Sequence, residues 1–577
     1  MFTKTWETSR RKYNVITERN VRIPMRDEVE VSADIFRPDS DEKYPALLGT
    51  HPYDQISQTA PIKPEGHSSL AIFPPAGEGK ARGNLEAGDP NFFVRRGYVQ
   101  VVVNVRGTGL SDGYYNFLGT QEAQDGYDII EWMAQQPWCD GNVSMFGPSY
   151  FAMSQFRIAA TQPPHLKCIF APWAGTNLYR DFIFHGGILT CNFPKNWITS
   201  LSNLRYKSYS KEKLGEEGYK KAIEKAVADK NLLASGFADI LRNPDNGNNP
   251  LIVDLIINPL WGPFWEERCT KFENINVPAY IGADWGLYGI HLPGAFRNWK
   301  NLNVPKKMII GSPTYLDRPL YQIQFESLRW FDYHLKGIDT GIMNEAPIRM
   351  FIPGTGDWKE TTEWPLPETL WTPFYLHEEN LLSEHEHWPN EGHDSFEDSP
   401  WKRGYLEYYS PQLVENMEVI GPIVLNLFAS TTDTDIFWII SLREVDKEGN
   451  ERELTKGWLK GSHREIDEEK SLRWQPHHPH AKEDLLEPNR IYEFNIPIIP
   501  TGNFFKTGSR IAIKISCADD PPKHSLEALG GGHILRQSPS RIAVYHNADY
   551  PSQVLLPITR GNILGTFVSG GRPFVNM

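Results

Sequence analysis

The first part of the chain alternates short apolar runs with helix-like stretches. The runs are YPALLGTHPY (44–53), YVQVVVNVRG (98–107), NVSMFG (142–147), LKCIFAPWAG (166–175), VPAYIGADWG (277–286) and KKMIIGSP (306–313). Each is apolar on both faces and closes on Gly, Pro or a turn, as strands of a parallel sheet covered by helices do. Between two of them, EAQDGYDIIEWMAQQ places Tyr127, Ile130 and Met133 or Ala134 on one helical face. From 176 to 272 the alternation lapses into a charged helical stretch, KEKLGEEGYKKAIEKAVADKNLLASGFADILRN, which reads as an inserted cap. ESLRWFDYHLKG reads as a last helix ending at Gly337. Beyond it come PIVLNLFAST, IFWIISLREV, RIYEFNIPII, RIAIKISCAD and RIAVYHN, short strands separated by Gly, Pro and Asn turns. The pattern predicts an α/β core over 1–175 and 273–345, a helical cap over 176–272, and an all-β sandwich or jelly roll over 346–577.

Length fits this division, since 577 residues exceed one ordinary core. A formal net charge of −13 disfavours nucleic acid or an anionic membrane as partner, because phosphate binding needs clustered Lys and Arg. The expected partner is a small-molecule ester, amide or specialised metabolite, and at most a second copy of the chain in a homodimer. Cys139, Cys168, Cys191, Cys269 and Cys517 show no metal or disulfide spacing. No cofactor and no metal are expected; His477, His478 and His480 in QPHHPH read as a solvated loop among prolines. The N-terminus lacks an apolar signal region and no stretch is apolar enough to span a membrane, so a cytoplasmic enzyme is expected.

The candidate chemistry centres on Gly147-Pro148-Ser149-Tyr150-Phe151-Ala152, between a predicted strand and a predicted helix. That is the form of a nucleophile elbow, a sharp turn that lifts a serine hydroxyl out of the sheet. RGTGLSDG (106–113) is glycine-rich but lacks the lysine and spacing of a phosphate loop, so Arg106 and Asp112 read as scaffold.

Together, THPYDQ, NVRGTGLSDG, GYDIIEWMAQQPWCDGNVSMFGPSY, LRWFDYHLKG and the β-rich C-terminal part resemble the family of cocaine esterase and the X-prolyl dipeptidyl peptidases, the CocE/NonD hydrolases, over nearly the whole chain. The resemblance implies an α/β-hydrolase domain with a helical cap and a C-terminal jelly roll. It also implies that Ser149 is the acyl acceptor, with the Tyr53 hydroxyl and the Tyr150 amide as oxyanion donors. Most of that family carries Asp where this chain has Asn104.

The resemblance breaks where the serine's partners should be. The family's histidine falls in a G-P-x-x-H stretch; here Gly311-Ser312-Pro313-Thr314-Tyr315 puts Tyr315 there, a poor base near neutral pH. The family's acid falls two residues after a tryptophan, at Leu287, while Asp284 precedes Trp285. His291 with Asp284 is the substitute pair expected of a serine esterase or amidase. The alternative is a repurposed lyase, isomerase, cyclase or acyltransferase in which Tyr315 donates a proton or hydrogen bond. Trp173, Phe182 and Phe184 are candidates for an aromatic substrate pocket.

Overall fold

The computed structural model describes residues 7–59, 86–312, 319–384, 386, 392–521 and 531–561. The apolar runs are strands, and they share one sheet. Its members are β1 (Val15–Pro24), β2 (Glu30–Pro38), β3 (Tyr44–His51), β4 (Val99–Asn104), β5 (Cys139–Phe146) and β6 (Leu166–Pro172). A small hairpin of β7 (Phe184–His185) and β8 (Ile188–Leu189) stands apart, and β9 (Ala279–Asp284), β10 (Lys306–Gly311), β11 (Ile348–Ile352) and β12 (Asp357–Thr361) complete the sheet. The order is β1-β2-β4-β3-β5-β6-β9-β10-β11-β12. From β4 to β11 neighbours run parallel, while β1, β2 and β12 are antiparallel additions at the edges. The central strands β3 and β4 are buried at every position, which is why they read as continuous apolar runs.

Helix Thr120–Ala134 packs on this sheet through Gly126, Ile129, Ile130 and Met133; Tyr127 sits at the edge under Arg26. Helix Tyr150–Ala159 follows β5 and is buried almost throughout. Helix Pro319–Lys336 ends where expected, at Gly337 with φ 67°.

Between β8 and β9 the chain is helical. Asn192–Ser200, Tyr209–Ala228 and Asn249–Ile257 are its longer pieces, the second kinked at Gly215. The buried Asp254 carboxylate fixes the start of the second helix by accepting from Tyr206 Oη (2.8 Å), Ser208 Oγ (2.7 Å) and the Tyr209 amide (2.7 Å).

The C-terminal part departs from expectation in two ways. β11 and β12, which lie past the expected boundary at 346, extend the first sheet, because β11 finds its hydrogen-bond partner in β10. The remaining strands form one twelve-stranded sheet rather than the two facing sheets a jelly roll implies. Strand Met417–Thr431 pairs with Tyr492–Phe505, Ser540–Tyr545 and Gln553–Arg560, with a register shift past Gly421, so the sheet curls and closes like a barrel around its own core.

QPHHPH is not a solvated loop. His478 and His480 are buried; His478 lies between the carbonyls of Glu465 (2.9 Å) and Asn495 (2.8 Å), and its own carbonyl accepts from Arg180 (2.6 Å). The tract seals the β part against the segment that follows β6. Among the described residues no group of three or more His, Cys, Asp or Glu is placed to hold a metal, and no helix is long and apolar enough to cross a membrane.

Candidate active site

Ser149 stands between β5 and helix Tyr150–Ala159 with φ 59° and ψ −124°, a strained backbone for a residue with a side chain. Two neighbours hold it there. Gly147 has φ 128°, and a Cβ on it would lie 2.5 Å from Phe151 Cβ and 3.0 Å from the Glu86 carbonyl, so only glycine fits. The buried Gln155 amide donates to the Gly147 carbonyl (3.0 Å) and accepts from the Phe170 amide (3.0 Å), tying the turn to β6. The ring of Phe151 occupies the space beside Gly49 of β3, where a Cβ would come within 2.9 Å.

The serine opens into a small cavity, part of it continuous with solvent. The elbow contributes Ser149, Tyr150 and Met153; the loop before Thr120 contributes Phe117 and Leu118; the segment after β6 contributes Leu178, Phe182 and Ile183. Helix Asn192–Ser200 supplies Phe193, Pro194, Trp197 and Ile198, and Tyr53 completes the lining. The lining is apolar apart from the hydroxyls of Ser149 and the tyrosines.

Tyr53 is fixed through its main chain. Its amide donates to His51 Nδ1 (3.1 Å), and its carbonyl accepts from Asn104 Nδ2 (2.8 Å). Burial pushes His51 down to about 3, so its ring stays neutral and Nδ1 remains an acceptor. Asn104 therefore has a task here that a carboxylate cannot perform, since Asp has no proton to donate when ionised. The Tyr53 phenol is raised well above 10, by burial first and then by the charge of Glu86, while Trp197 and Ser149 pull the other way.

Tyr150 presents its ring to the cavity, stacked on Trp197 (6.1 Å between centroids), and its hydroxyl donates to Glu122 Oε1 (2.6 Å). The other oxygen of Glu122 accepts from the Leu118 amide (2.9 Å). Phe117 and Leu118 both have positive φ, 50° and 55°, so this carboxyl holds a strained piece of the wall. Burial raises Glu122 to about 7.

The expected partners of Ser149 are placed as follows. Asp284 ends β9, fully buried, with Oδ2 accepting from Trp173 Nε1 (2.7 Å) and Oδ1 from the Gly286 amide (2.9 Å); burial raises it to about 7. His291 precedes helix Leu292–Asn301, is pushed down to about 3 by burial, and meets the cavity wall through the edge of Phe182 (5.3 Å). Tyr315 lies outside the described residues. Of the expected pocket aromatics, Phe182 lines the cavity. Trp173 and Phe184 do not: Trp173, at φ 57°, spends its indole on Asp284, and Phe184 stacks on Tyr179 (4.9 Å). Arg106 is buried between Asp27 (2.8 Å) and Asp125 (2.6 Å), and Asp112 pairs with Arg22. Trp197 and Glu122 are among the site residues that the sequence pattern did not single out.

A serine elbow at the carboxyl end of a parallel sheet, beneath an apolar chamber, defines an α/β hydrolase. The model of the X-Pro dipeptidyl-peptidase S15 family matches residues 27–315, and that of the X-Pro dipeptidyl-peptidase C-terminal non-catalytic domain matches 340–555. The chain belongs to this family, that of the CocE/NonD hydrolases, and is a hydrolase of that type. It is 27% identical to the cocaine esterase of Rhodococcus sp. (strain MB1 Bresler), over 95% of this chain and 99% of that one. A CocE/NonD family hydrolase from Staphylococcus aureus is 25% identical and superposes with a TM-score of 0.78 over 94% of both chains. An aminopeptidase from a marine sediment archaeon, 17% identical, shares the fold with a TM-score of 0.73 over 97% of this chain and 99% of its own.

Proposed function

We propose that the protein is a serine esterase or amidase acting on a small, largely apolar ester or amide through an acyl-enzyme on Ser149. The strained elbow opening into an apolar chamber carries this reading. The Ser149 oxygen attacks the carbonyl carbon, the carbonyl oxygen becomes an oxyanion beside the Tyr150 amide, and the alcohol or amine departs with a proton. Water then releases the acid by the reverse sequence. One well-placed donor at such an oxyanion is worth roughly 10²–10³ in rate. The helices between β8 and β9 act as a cap that excludes water from the acyl-enzyme.

Asp284 and His291 serve this reading as supports of the chamber. The Asp284 carboxyl already has Trp173 and Gly286 as donors, and His291 reaches the cavity through Phe182. Treatment with a fluorophosphonate followed by peptide mass spectrometry is expected to give an adduct on Ser149 that is absent from Ser149→Ala. An unlabelled Ser149, under conditions that label a relative with the usual histidine, defeats the acyl-enzyme reading and favours the lyase or isomerase alternative.

A further inference from the structure

Two walls of the chamber are joined to each other outside it. Leu178, Phe182 and Ile183 line one side, Phe193, Pro194, Trp197 and Ile198 another, and the chain between them is the β7–β8 hairpin. The hairpin runs into the C-terminal part. At its tip Gly186, with φ 55°, accepts through its carbonyl from the Lys460 amide (2.8 Å), and a Cβ there would lie 2.0 Å from the Trp458 carbonyl oxygen. Only glycine lets the tip approach strand Glu451–Lys460 so closely.

Residues 532–534 of the C-terminal part lie along the outgoing leg. The Ile534 amide donates to the Leu189 carbonyl (3.0 Å) and the Cys191 amide to the Gly532 carbonyl (2.6 Å). Thr190, between them, ties this leg to the incoming one, its amide donating to the Ile183 carbonyl (2.8 Å) and its hydroxyl to the Phe182 carbonyl (2.7 Å).

Side chains complete the grip. His185 and His533 are both buried, with His185 stacked on Trp458 (4.5 Å between centroids). His185 Nε2 faces the Asp181 carbonyl (3.3 Å), its Nδ1 meets His533 Nε2 (2.9 Å), and His533 Nδ1 meets Asp519 Oδ2 (2.7 Å). The same Asp519 oxygen accepts from the Gly532 and His533 amides (3.1 and 3.0 Å), and Lys456 Nζ stands 3.4 Å from the other. A line of polar contacts thus runs from the C-terminal sheet, through two imidazoles, to the backbone of the wall segment 178–183. What it holds in place is soft: Phe182 and Phe193, one from each wall, meet 6.3 Å apart as apolar rings, a contact that a small shift of the hairpin would open.

We infer that His533, anchored on Asp519, is a positioning residue for the chamber: through His185 it sets the spacing of the two walls, so that the C-terminal part governs how tightly an apolar substrate is held. The inference rests on the reading of the chamber as the substrate site and extends it. His533 touches neither substrate nor serine and acts only through the hairpin.

Fluorophosphonate inactivation separates reversible binding (KI) from the bond-forming step (kinact). His533→Ala is expected to raise KI for an alkyl fluorophosphonate by about tenfold or more and to change kinact by less than about threefold, since the elbow lies outside the hairpin. His533→Gln, whose terminal amide can meet His185 as donor or acceptor, is expected to recover part of the affinity. Hydrogen exchange read by mass spectrometry is expected to quicken in 178–183 and 192–200 of His533→Ala and to match wild type over the elbow helix Tyr150–Ala159. Fewer labelled sites with wild-type KI, the mark of partial unfolding, overturns the inference. So does exchange that quickens throughout the chain, or in neither wall segment. A wild type that does not label at all overturns the acyl-enzyme reading; the exchange comparison then decides the positioning role by itself, which tells the two failures apart.

Discussion

Glu122 couples the chamber wall to proton concentration, and Glu122→Gln isolates that coupling. The variant keeps an oxygen for the Leu118 amide and offers an N–H to the Tyr150 oxygen, so both wall contacts can persist without the charge. The groups acting on the carboxyl are the Tyr150 hydroxyl, the Leu118 amide, Asp125, which disfavours its ionisation, and Arg157, which favours it; burial outweighs all of them. An ordinary glutamic acid at 4.5 is raised to about 7 in the folded chain, so between these values the folded state holds a proton that the unfolded state has released. Stability from this group is therefore complete below 4.5 and is lost as pH rises to about 7. At about 1.4 kcal/mol per tenfold step in proton binding, the interval amounts to about 3 kcal/mol. Denaturant unfolding of the α/β part, followed by intrinsic fluorescence at pH 5 and pH 8 for both proteins, tests this. Asp284 titrates over a similar range in both, so it cancels in the comparison. Relative to wild type, Glu122→Gln is expected to gain about 3 kcal/mol on going from pH 5 to pH 8. A stability difference that is the same at both pH values refutes the reasoning.

Gly147→Ala is expected to abolish Ser149 labelling and lower the melting temperature, because the added Cβ would press on Phe151 and on the Glu86 carbonyl; a normally labelled variant would show that the elbow does not depend on that contact. Gln155→Ala leaves the Gly147 carbonyl and the Phe170 amide without their buried partner, at about 1–3 kcal/mol for each group left unsatisfied, measured by denaturation. Asn104→Asp restores the family's residue yet is expected to slow fluorophosphonate labelling of Ser149, since an ionised carboxylate cannot donate to the Tyr53 carbonyl; faster labelling would contradict that assignment. Phe182→Ala is expected to raise KM for apolar esters more than it lowers kcat, as the ring lines the cavity and has no polar group to offer the reacting atoms.

The core strands were legible because burial on both faces leaves an unbroken apolar run; β3, β4 and β9 lie where the pattern placed them. The edges were not. β11 is a short strand with alternating burial, and nothing local says whether it joins β10 or the β-rich part that follows. The elbow was legible because its geometry is encoded in adjacent residues. The chamber was harder, because an aromatic that follows a strand looks the same whether it faces a ligand or a buried carboxyl. Phe182 does the former and Trp173 the latter. Glu122 gave no signal, since its place in the chamber wall depends on Tyr150, 28 residues along the chain. QPHHPH misled for a related reason: its polarity is satisfied by backbone carbonyls and by Arg180 rather than by water.

The fit of Phe151 against Gly49 carries a consequence for descent. Elbows of the G-x-S-x-G form have glycine where this chain has Phe151, so a lineage acquiring the ring needed a bare backbone on β3 first or at the same step. The two positions share one volume and are free to drift only as a pair. Among relatives, a side chain at the position of Gly49 should coincide with a small residue at that of Phe151, and a bulky residue there with glycine on the strand. That covariation would mark the branch to which this chain belongs even where the residues around the serine have diverged.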